Sequence, residues 1–397
     1  MTLSLCMIVK NEAANLSRCL QSVVDIVDEQ IIVDTGSTDE TIAIAQSFAA
    51  QIYKYDWQDD FAAARNYGLQ YVQSDWVLVL DADEILVPGI IPQLQRVMQE
   101  PNTLAVTLLR QEVGAQQSPY SLLCRLFRRH PQMVFKRPYH EVIDESVLAI
   151  QAQDPHWQVG YLPEVAIEHL GYQRDAIATR NKHQRARRIM AAALAQDPTD
   201  AYLCSKLGAL YGEMGEVEEG LVLLEQGLRL KPTEAAIVYE LHYHLGHTYG
   251  RLGQVQSALQ HYQQAVSQDL PDCLKIGAYN NWANLLKQLG HLDQACQLYK
   301  HLIACQPDLA MGYYNLGLTL REKGDLGGAI SAYQQALEKQ PDYADAYQNL
   351  GVAFFKQGNL QASQQAFVQA IDLHLQHNNV AEADRLQQGM ADLGLPL

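Results

Sequence analysis

Hydrophobic and polar positions change period part-way along the chain. In the first stretch short apolar runs recur between polar breaks: Leu3 to Val9, Ile31-Ile-Val33, Ile52-Tyr-Lys-Tyr55 and Trp76-Val-Leu-Val-Leu80. Runs of that length bounded by turn residues predict buried strands. Between them the spacing is helical. Leu16, Leu20, Val23 and Val24 follow the first run, and Leu69, Tyr71 and Val72 continue a helix opening at Asp59-Asp-Phe-Ala-Ala-Ala-Arg-Asn66. Ser37 and Glu40 have the spacing of a capping box, which predicts a helix from there to about Phe48. Strand alternating with helix predicts an α/β domain with a mostly parallel sheet and helices on its faces.

From about Arg174 onward the strand runs stop, and Ala, Leu, Gln, Gly and Tyr recur at helical spacing. Leu207-Gly208, Tyr211, Leu224 and Pro232 fit the tetratricopeptide pattern of paired helices. So do Leu245-Gly246, Tyr249, Ala258, Tyr262 and Ala265, and more loosely Ala283, Ala295, Tyr299 and Pro307. Tyr313, Leu316-Gly317, Ala329, Tyr333, Ala336 and Pro341 form a fourth unit; Tyr347, Leu350-Gly351, Phe354, Phe367 and Ala370 form a fifth. The expected organisation is an α/β domain over 1–173, a connecting helix acting as a degenerate half-repeat over 174–200, five repeats over 201–379 and a capping helix over 380–397. Such a solenoid needs a cap to close its apolar end. Tyr243, His244, Asn280, Asn281, Asn284, Tyr314 and Asn315 are expected on an exposed polar surface that holds a peptide or glycan; solvated helix residues would read the same way.

Charge narrows the function. A net charge of −16 argues against a nucleic-acid binder. No apolar run is long enough to span a bilayer, and the opening Met1-Thr-Leu-Ser-Leu-Cys-Met reads as a first strand rather than a signal peptide. Seven cysteines without paired metal-type spacing suggest reduced thiols and a cytoplasmic protein, with Cys6 and Cys19 in the core. Peripheral association with the inner face of a membrane stays open. There is no G-x-G-x-x-G after the first strand and no G-x-x-x-x-G-K-[ST], which makes dinucleotide oxidoreductases and P-loop ATPases poor readings.

The candidate chemistry gathers at Trp76-Val-Leu-Val-Leu-Asp-Ala-Asp-Glu84. Residues two apart on a strand share a face, so Asp81 and Asp83 are expected to reach one ligand from the strand's carboxyl end, where open α/β sheets bind ligands. Two carboxylates there suit Mg²⁺ or Mn²⁺ shared with a phosphate, and equally suit a solvated strand end. Thr35-Gly-Ser-Thr-Asp-Glu-Thr41 places a turn before a helix N-terminus, which is either an anion site or an ordinary turn.

Ile8-Val-Lys-Asn-Glu12, Val33-Asp-Thr-Gly-Ser-Thr-Asp-Glu-Thr41, Ala64-Arg-Asn66 and Leu80-Asp-Ala-Asp-Glu84 stand in the order and spacing of family 2 glycosyltransferases of the GT-A fold, Rossmann-like in form. The resemblance covers residues 3–172. His140-Glu141 and His169-Leu-Gly-Tyr172 resemble a bacterial subgroup that includes lipopolysaccharide-core glucosyltransferases; some members carry repeats behind the domain, and a few modify peptides. The resemblance implies a metal-dependent, inverting transfer from a nucleotide-diphosphate sugar to a glycan, lipid-linked or protein acceptor. It implies that Asp34 holds the base, that Arg65 lies over the base or diphosphate, and that Asn11 and Glu12 border the nucleoside. Asp81 would hold the ribose or the metal, and Asp83 the metal. His169 is the candidate third ligand or else a structural histidine. An inverting displacement needs a base, for which the candidate is Glu141, with Asp144 behind it and His140 either orienting it or touching the acceptor; a merely solvated acidic loop would read the same way.

Arg125, Arg128, Arg129, His130, Lys136 and Arg137 form a basic cluster, with Arg125 and Arg128 the candidates for the diphosphate or an anionic acceptor. The repeats would recruit the acceptor or a protein partner and supply part of the acceptor wall. The alternative is a repeat-based interaction scaffold whose transferase-like domain is degenerate. A nucleotide-sugar pyrophosphorylase fits poorly, because Lys10-Asn-Glu12 is not its Gly-rich loop.

Overall fold

A computed structural model describes residues 1–115, 119–170 and 176–395, with backbone alone over 176–181. The chain forms two compact units, Met1–Pro232 and Thr233–Leu397.

The first unit is built on eight strands: β1 Leu3–Val9, β2 Glu29–Asp34, β3 Gln51–Lys54, β4 Trp76–Val79, β5 Glu84–Leu86, β6 Thr103–Glu112, β7 Tyr120–Arg128 and β8 Gln158–His169. They lie in the order β3-β2-β1-β4-β7-β6-β8-β5. The half from β3 to β4 is parallel, as the strand–helix alternation predicts. β7 then enters antiparallel to β4 and to β6, while β6 and β8 run parallel and β5 closes the edge antiparallel to β8. The sheet is therefore mixed.

Helices cover the parallel half because each offers one apolar stripe. On α1 (Leu16–Val23) the stripe is Leu16, Cys19, Leu20 and Val23, all fully buried. Each such Leu or Val contributes about 1.5–3 kcal/mol relative to exposure. α2 spans Thr41–Ser47 and starts later than the capping-box spacing predicts. The Ser37 hydroxyl accepts a hydrogen bond from the Asn11 backbone instead, so it is not available to cap a helix.

α3 (Phe61–Leu69) is capped by Asp60, whose carboxylate accepts from the Ala63 amide at 2.8 Å. Its Gly68 has to be glycine: a Cβ there would lie 2.9 Å from both Cys6 Sγ and Val33 Cγ2. That close approach seats α3 on β1 and β2 and fixes where Arg65, one turn earlier, emerges. α4 (Ile91–Gln99) and α5 (Asp144–Gln153) complete the α/β part. α6 (Ala176–Gln196), α7 (Ala201–Met214) and α8 (Val217–Arg229) also belong to this unit. Tyr139 packs against the core of Ala186, Met190, Leu203 and Leu207, and Arg137 pairs with Asp200 at 2.7 Å.

The second unit is helical: α9 Ala235–Arg251, α10 Val255–Val266, α11 Ile276–Gln288, α12 Leu292–Cys305, α13 Ala310–Glu322, α14 Leu326–Lys339, α15 Ala344–Gln357, α16 Leu360–Gln376 and α17 Val380–Asp392. Successive helices pack as hairpins because small residues meet aromatics. A Cβ on Gly317 would lie 2.6 Å from the Tyr333 ring, and Gly246 and Tyr262 repeat the contact at 2.7 Å. α17 closes the end by burying Ala383, Leu386 and Met390 beside Phe367 and Ile371. Asn280 and Asn315, expected on an exposed surface, are instead buried, and Asn315 Nδ2 donates to Asn280 Oδ1 at 2.8 Å. Buried amides need such partners. Tyr299 likewise donates to Asn284 at 2.6 Å. Among the described residues no helix is long and apolar enough to cross a membrane.

Candidate active site

Parallel pairing brings the carboxyl ends of β1, β2 and β4 to one edge of the sheet. After β1 the chain turns at Asn11, which adopts φ 55°. Asn tolerates this left-handed conformation because its short side chain bonds locally. Here Asn11 Oδ1 accepts from the Thr38 amide at 2.7 Å, and the Glu12 amide donates to Thr41 Oγ1 at 2.8 Å. The loops after β1 and β2 are thus laced together. Asp34 ends β2, is buried, and accepts from the Ser37 amide at 3.0 Å.

β4 ends at Val79 and β5 starts at Glu84, so Asp81 and Asp83 sit in the intervening turn, closed by the Glu84 amide donating to the Asp81 carbonyl at 3.0 Å. Strand alternation therefore does not place them together, and their side chains meet different partners. Both Asp81 oxygens face arginines: Oδ1 lies 2.5 Å from Arg65 Nη2, and Oδ2 lies 3.1 Å from Arg125 Nη2. Burial alone would raise the Asp81 carboxyl, but Arg125 and Arg65 outweigh it and hold it well below the usual carboxylate range. Arg65 Nε donates to Glu141 Oε1 at 2.6 Å. The Nη1 nitrogens of Arg65 and Arg125 are buried with no hydrogen-bond partner. Buried donors of that kind call for an explanation, and an anionic ligand is one.

Asp83 turns towards His169. Their Oδ2 and Nε2 are 3.3 Å apart, while His169 Nδ1 is 2.5 Å from Glu112 Oε2. Register causes this: β8 pairs His169 with Glu84 of β5 on one side and Glu112 of β6 on the other. Arg110, two residues before Glu112 and so on the same strand face, bridges Glu112 at 2.6 Å and the fully buried Glu84 at 2.7 Å. Glu84 in turn accepts from the Asp81 amide at 2.8 Å. Burial opposes protonation of His169, but hydrogen bonds to Asp83 and Glu112 more than offset it and push its pKa up to about 9. Glu84, Arg110 and Glu112 were not singled out from the sequence; the two-residue spacing of Arg110 and Glu112 was the available signal.

A divalent cation fits part of this donor set. A histidine whose Nδ1 is held by a carboxylate, with Nε2 facing an aspartate, is the usual outer-sphere arrangement of a metal ligand. Asp83 and His169 would supply the donors, whereas Asp81 is engaged by its arginines.

The basic cluster does not assemble. β7 runs antiparallel to β4, so Arg128 lies opposite Trp76 at the far end of the strand. There it donates to the Thr103 and Glu100 carbonyls and lies over the Trp76 ring at 4.8 Å. Arg129 donates to the Ser74 carbonyl, and Arg137 pairs with Glu145 as well as Asp200. Only Arg125 reaches the Asp81 end. His140 is exposed, with its ring edge-on to Tyr139 at 5.0 Å. Asp144 opens α5 and is exposed. Gly171 and Tyr172 of the expected motif lie outside the described residues.

A TPR repeat-containing protein of Synechococcus elongatus is 44% identical over 304 residues, which cover 77% of this chain and 75% of that one. The chain belongs to the same family. In the present chain, residues 4–160 match the model of glycosyl transferase family 2. Tetratricopeptide models match 239–271, 276–309 and 344–377, with others at 298–331 and 317–358. An SPbeta prophage-derived glycosyltransferase, SunS, of Bacillus subtilis is 31% identical over 147 residues, 35% of this chain and 34% of that one. An uncharacterized glycosyltransferase of Rickettsia felis is 36% identical over 95 residues, 24% and 33% of the two chains. The chain thus spans about a third of each of these two glycosyltransferases. Among solved structures, YrrB, a TPR protein with an unusual peptide-binding site, aligns with TM-score 0.40 at 20% identity, covering 49% of this chain and 97% of that one.

Proposed function

We propose that this protein is a metal-dependent, inverting glycosyltransferase that moves a sugar from a nucleotide-diphosphate donor to an acceptor recruited by the repeats. The carrying observation is the pairing of two arginines on Asp81, each with an unpartnered buried Nη1, beside the Asp83–His169–Glu112 chain. In this reading Arg65 and Arg125 hold the donor's anionic portion, and Asp81 holds the arginines. Asp34, Asn11 and Glu12 form the nucleoside side of the site. Asp83 and His169 would hold Mn²⁺ or Mg²⁺, with the imidazole favouring Mn²⁺. When bound, the cation neutralises charge that develops on the leaving diphosphate.

The acceptor hydroxyl attacks the anomeric carbon, the bond to the diphosphate oxygen breaks, and Glu141 takes the hydroxyl proton. In support of this role, Arg65 Nε holds Glu141 Oε1 at 2.6 Å and so orients the carboxylate, whose second oxygen would take the proton. A cleft of about 630 Å³ in the same unit is the candidate acceptor route. It is lined by Lys136, Arg137, Pro138 and Glu145, which flank His140 and Glu141 in sequence, and by Arg188 of α6.

The test is turnover. The full chain is incubated with a panel of nucleotide-diphosphate sugars, with Mn²⁺ or with chelator, and released nucleoside diphosphate is measured. Release from one donor that needs Mn²⁺ supports the proposal. No release from any donor, with or without metal, favours the scaffold with a degenerate domain.

A further inference from the structure

The second unit gathers a donor set of its own. Asp272 lies in a short helical turn (Asp272–Lys275) between α10 and α11, and His301 and Cys305 lie one turn apart near the end of α12. Among the described residues they are the only three His, Cys, Asp or Glu side chains whose ligand atoms all lie within 4.8 Å of one another. His301 Nε2 is 3.3 Å from Asp272 Oδ2 and 3.6 Å from Cys305 Sγ.

Hydrogen bonding explains this poorly. An imidazole nitrogen carries either one proton or one lone pair, so Nε2 serves one in-plane partner, yet a carboxylate and a thiol both converge on it. The separations suit a shared ion. In a tetrahedron with metal–nitrogen and metal–oxygen bonds of about 2.0–2.1 Å and metal–sulfur bonds of about 2.3 Å, the N···O edge is about 3.3 Å and the N···S edge about 3.6 Å. The surroundings are built as an outer sphere. Lys275 Nζ holds the other Asp272 oxygen at 2.9 Å, and the Tyr279 hydroxyl reaches the same oxygen at 3.3 Å. The Tyr279 ring stands edge-on to His301 at 4.7 Å and limits its rotation.

We propose that Asp272, His301 and Cys305 form a zinc site with three protein ligands and a fourth position open to water or an incoming ligand. One thiolate, one imidazole and one carboxylate select zinc over Mg²⁺ or Ca²⁺. Loading replaces the Cys305 thiol proton, which leaves to solvent, with a sulfur–metal bond. The ion ties the turn before α11 to the end of α12.

The test uses Co²⁺ as probe on the reduced full chain, followed by displacement with Zn²⁺. The expected result is a thiolate-to-metal charge-transfer band and the intense visible absorption of a tetrahedral ion, saturating at one thiolate-bound cobalt per chain and lost on adding Zn²⁺. Cys305→Ser should abolish the charge-transfer band. His301→Gln, which removes a direct ligand, should weaken cobalt affinity by more than the roughly tenfold to hundredfold that loss of an outer-sphere partner costs. Asp83→Ala, in the other unit, should leave the band intact. Circular dichroism melts identify any variant that has unfolded, and the two variants at separate ligands keep the test independent of either one. Absence of the band in the native chain, or its persistence in Cys305→Ser, overturns the proposal.

Discussion

Replacing Arg65 with Met removes a guanidinium that is 3% exposed and keeps most of the side-chain volume. Two carboxylates then lose a partner. Asp81 retains Arg125 at 3.1 Å and is a third accessible, so its loss is partial. Glu141 is only a tenth accessible and loses its 2.6 Å partner, so most of the penalty falls there. Stranding a buried charge costs about 3–5 kcal/mol, and the residual pairing of Asp81 places the expected destabilisation at the lower end, about 3 kcal/mol. Equilibrium urea unfolding followed by tryptophan fluorescence reads this, since Trp76 is fully buried in the same unit.

A double-mutant cycle with Glu141→Gln isolates the pair and should return a coupling of about 1–3 kcal/mol. The pH dependence carries the same sign. Asp81 titrates lower when folded than its unfolded value of about 3.9, so its contribution is fully present above that value and is lost as pH falls through the depressed folded value. Arg65→Met should therefore move acid unfolding to higher pH. A destabilisation below about 1 kcal/mol with a coupling near zero would refute the ion-pair account.

Other outcomes follow from the same geometry. Glu112→Gln, which removes the negative charge from the partner of His169 Nδ1, should weaken Mn²⁺ affinity about tenfold to a hundredfold and leave metal-free nucleotide affinity unchanged, as read by calorimetry. Glu141→Gln should keep donor binding and lose transfer by about a hundredfold or more; transfer near the native rate places the base elsewhere. A chain ending at Pro232, the limit of the first compact unit, should keep donor hydrolysis and lose transfer to the true acceptor; equal loss of both counts against recruitment by the repeats. In the helical unit, His242 lies 2.9 Å from His261, and burial followed by that neighbour lowers its pKa to about 4. The folded state therefore binds fewer protons than an unfolded histidine near 6.5, and stability should fall as pH drops from there towards 4. Thermal melts of His242→Gln should show a shallower loss over that range.

The sequence carried the fold class because periodicity is local. Val33 and Trp76 stand in strands, and Leu316-Gly317 with Tyr333 mark a hairpin contact. It also picked out Asp34, Arg65, Asp81, Asp83, Glu141 and His169, which fall around one edge of the sheet. What it missed depends on long-range register. Glu112 reaches His169 only because β6 pairs with β8, and Arg128 points away because β7 runs antiparallel to β4. The capping box failed for a similar reason: Ser37 is taken by Asn11, which a helix-end rule cannot see. Asn280 and Asn315 looked solvated because each alone is polar, and only the pairing of their helices buries them. Asp272 and His301 meet through the turn before α11, a distance that no sequence spacing encodes.

The most direct test of the central claim is calorimetric titration of the full chain with UDP and then GDP, each with and without Mn²⁺, repeated on Asp83→Ala. The account predicts that one nucleotide binds tightly only with Mn²⁺ and that Asp83→Ala removes the metal dependence. Unchanged metal-dependent affinity in Asp83→Ala, or no binding of either nucleotide to the native chain, would contradict it.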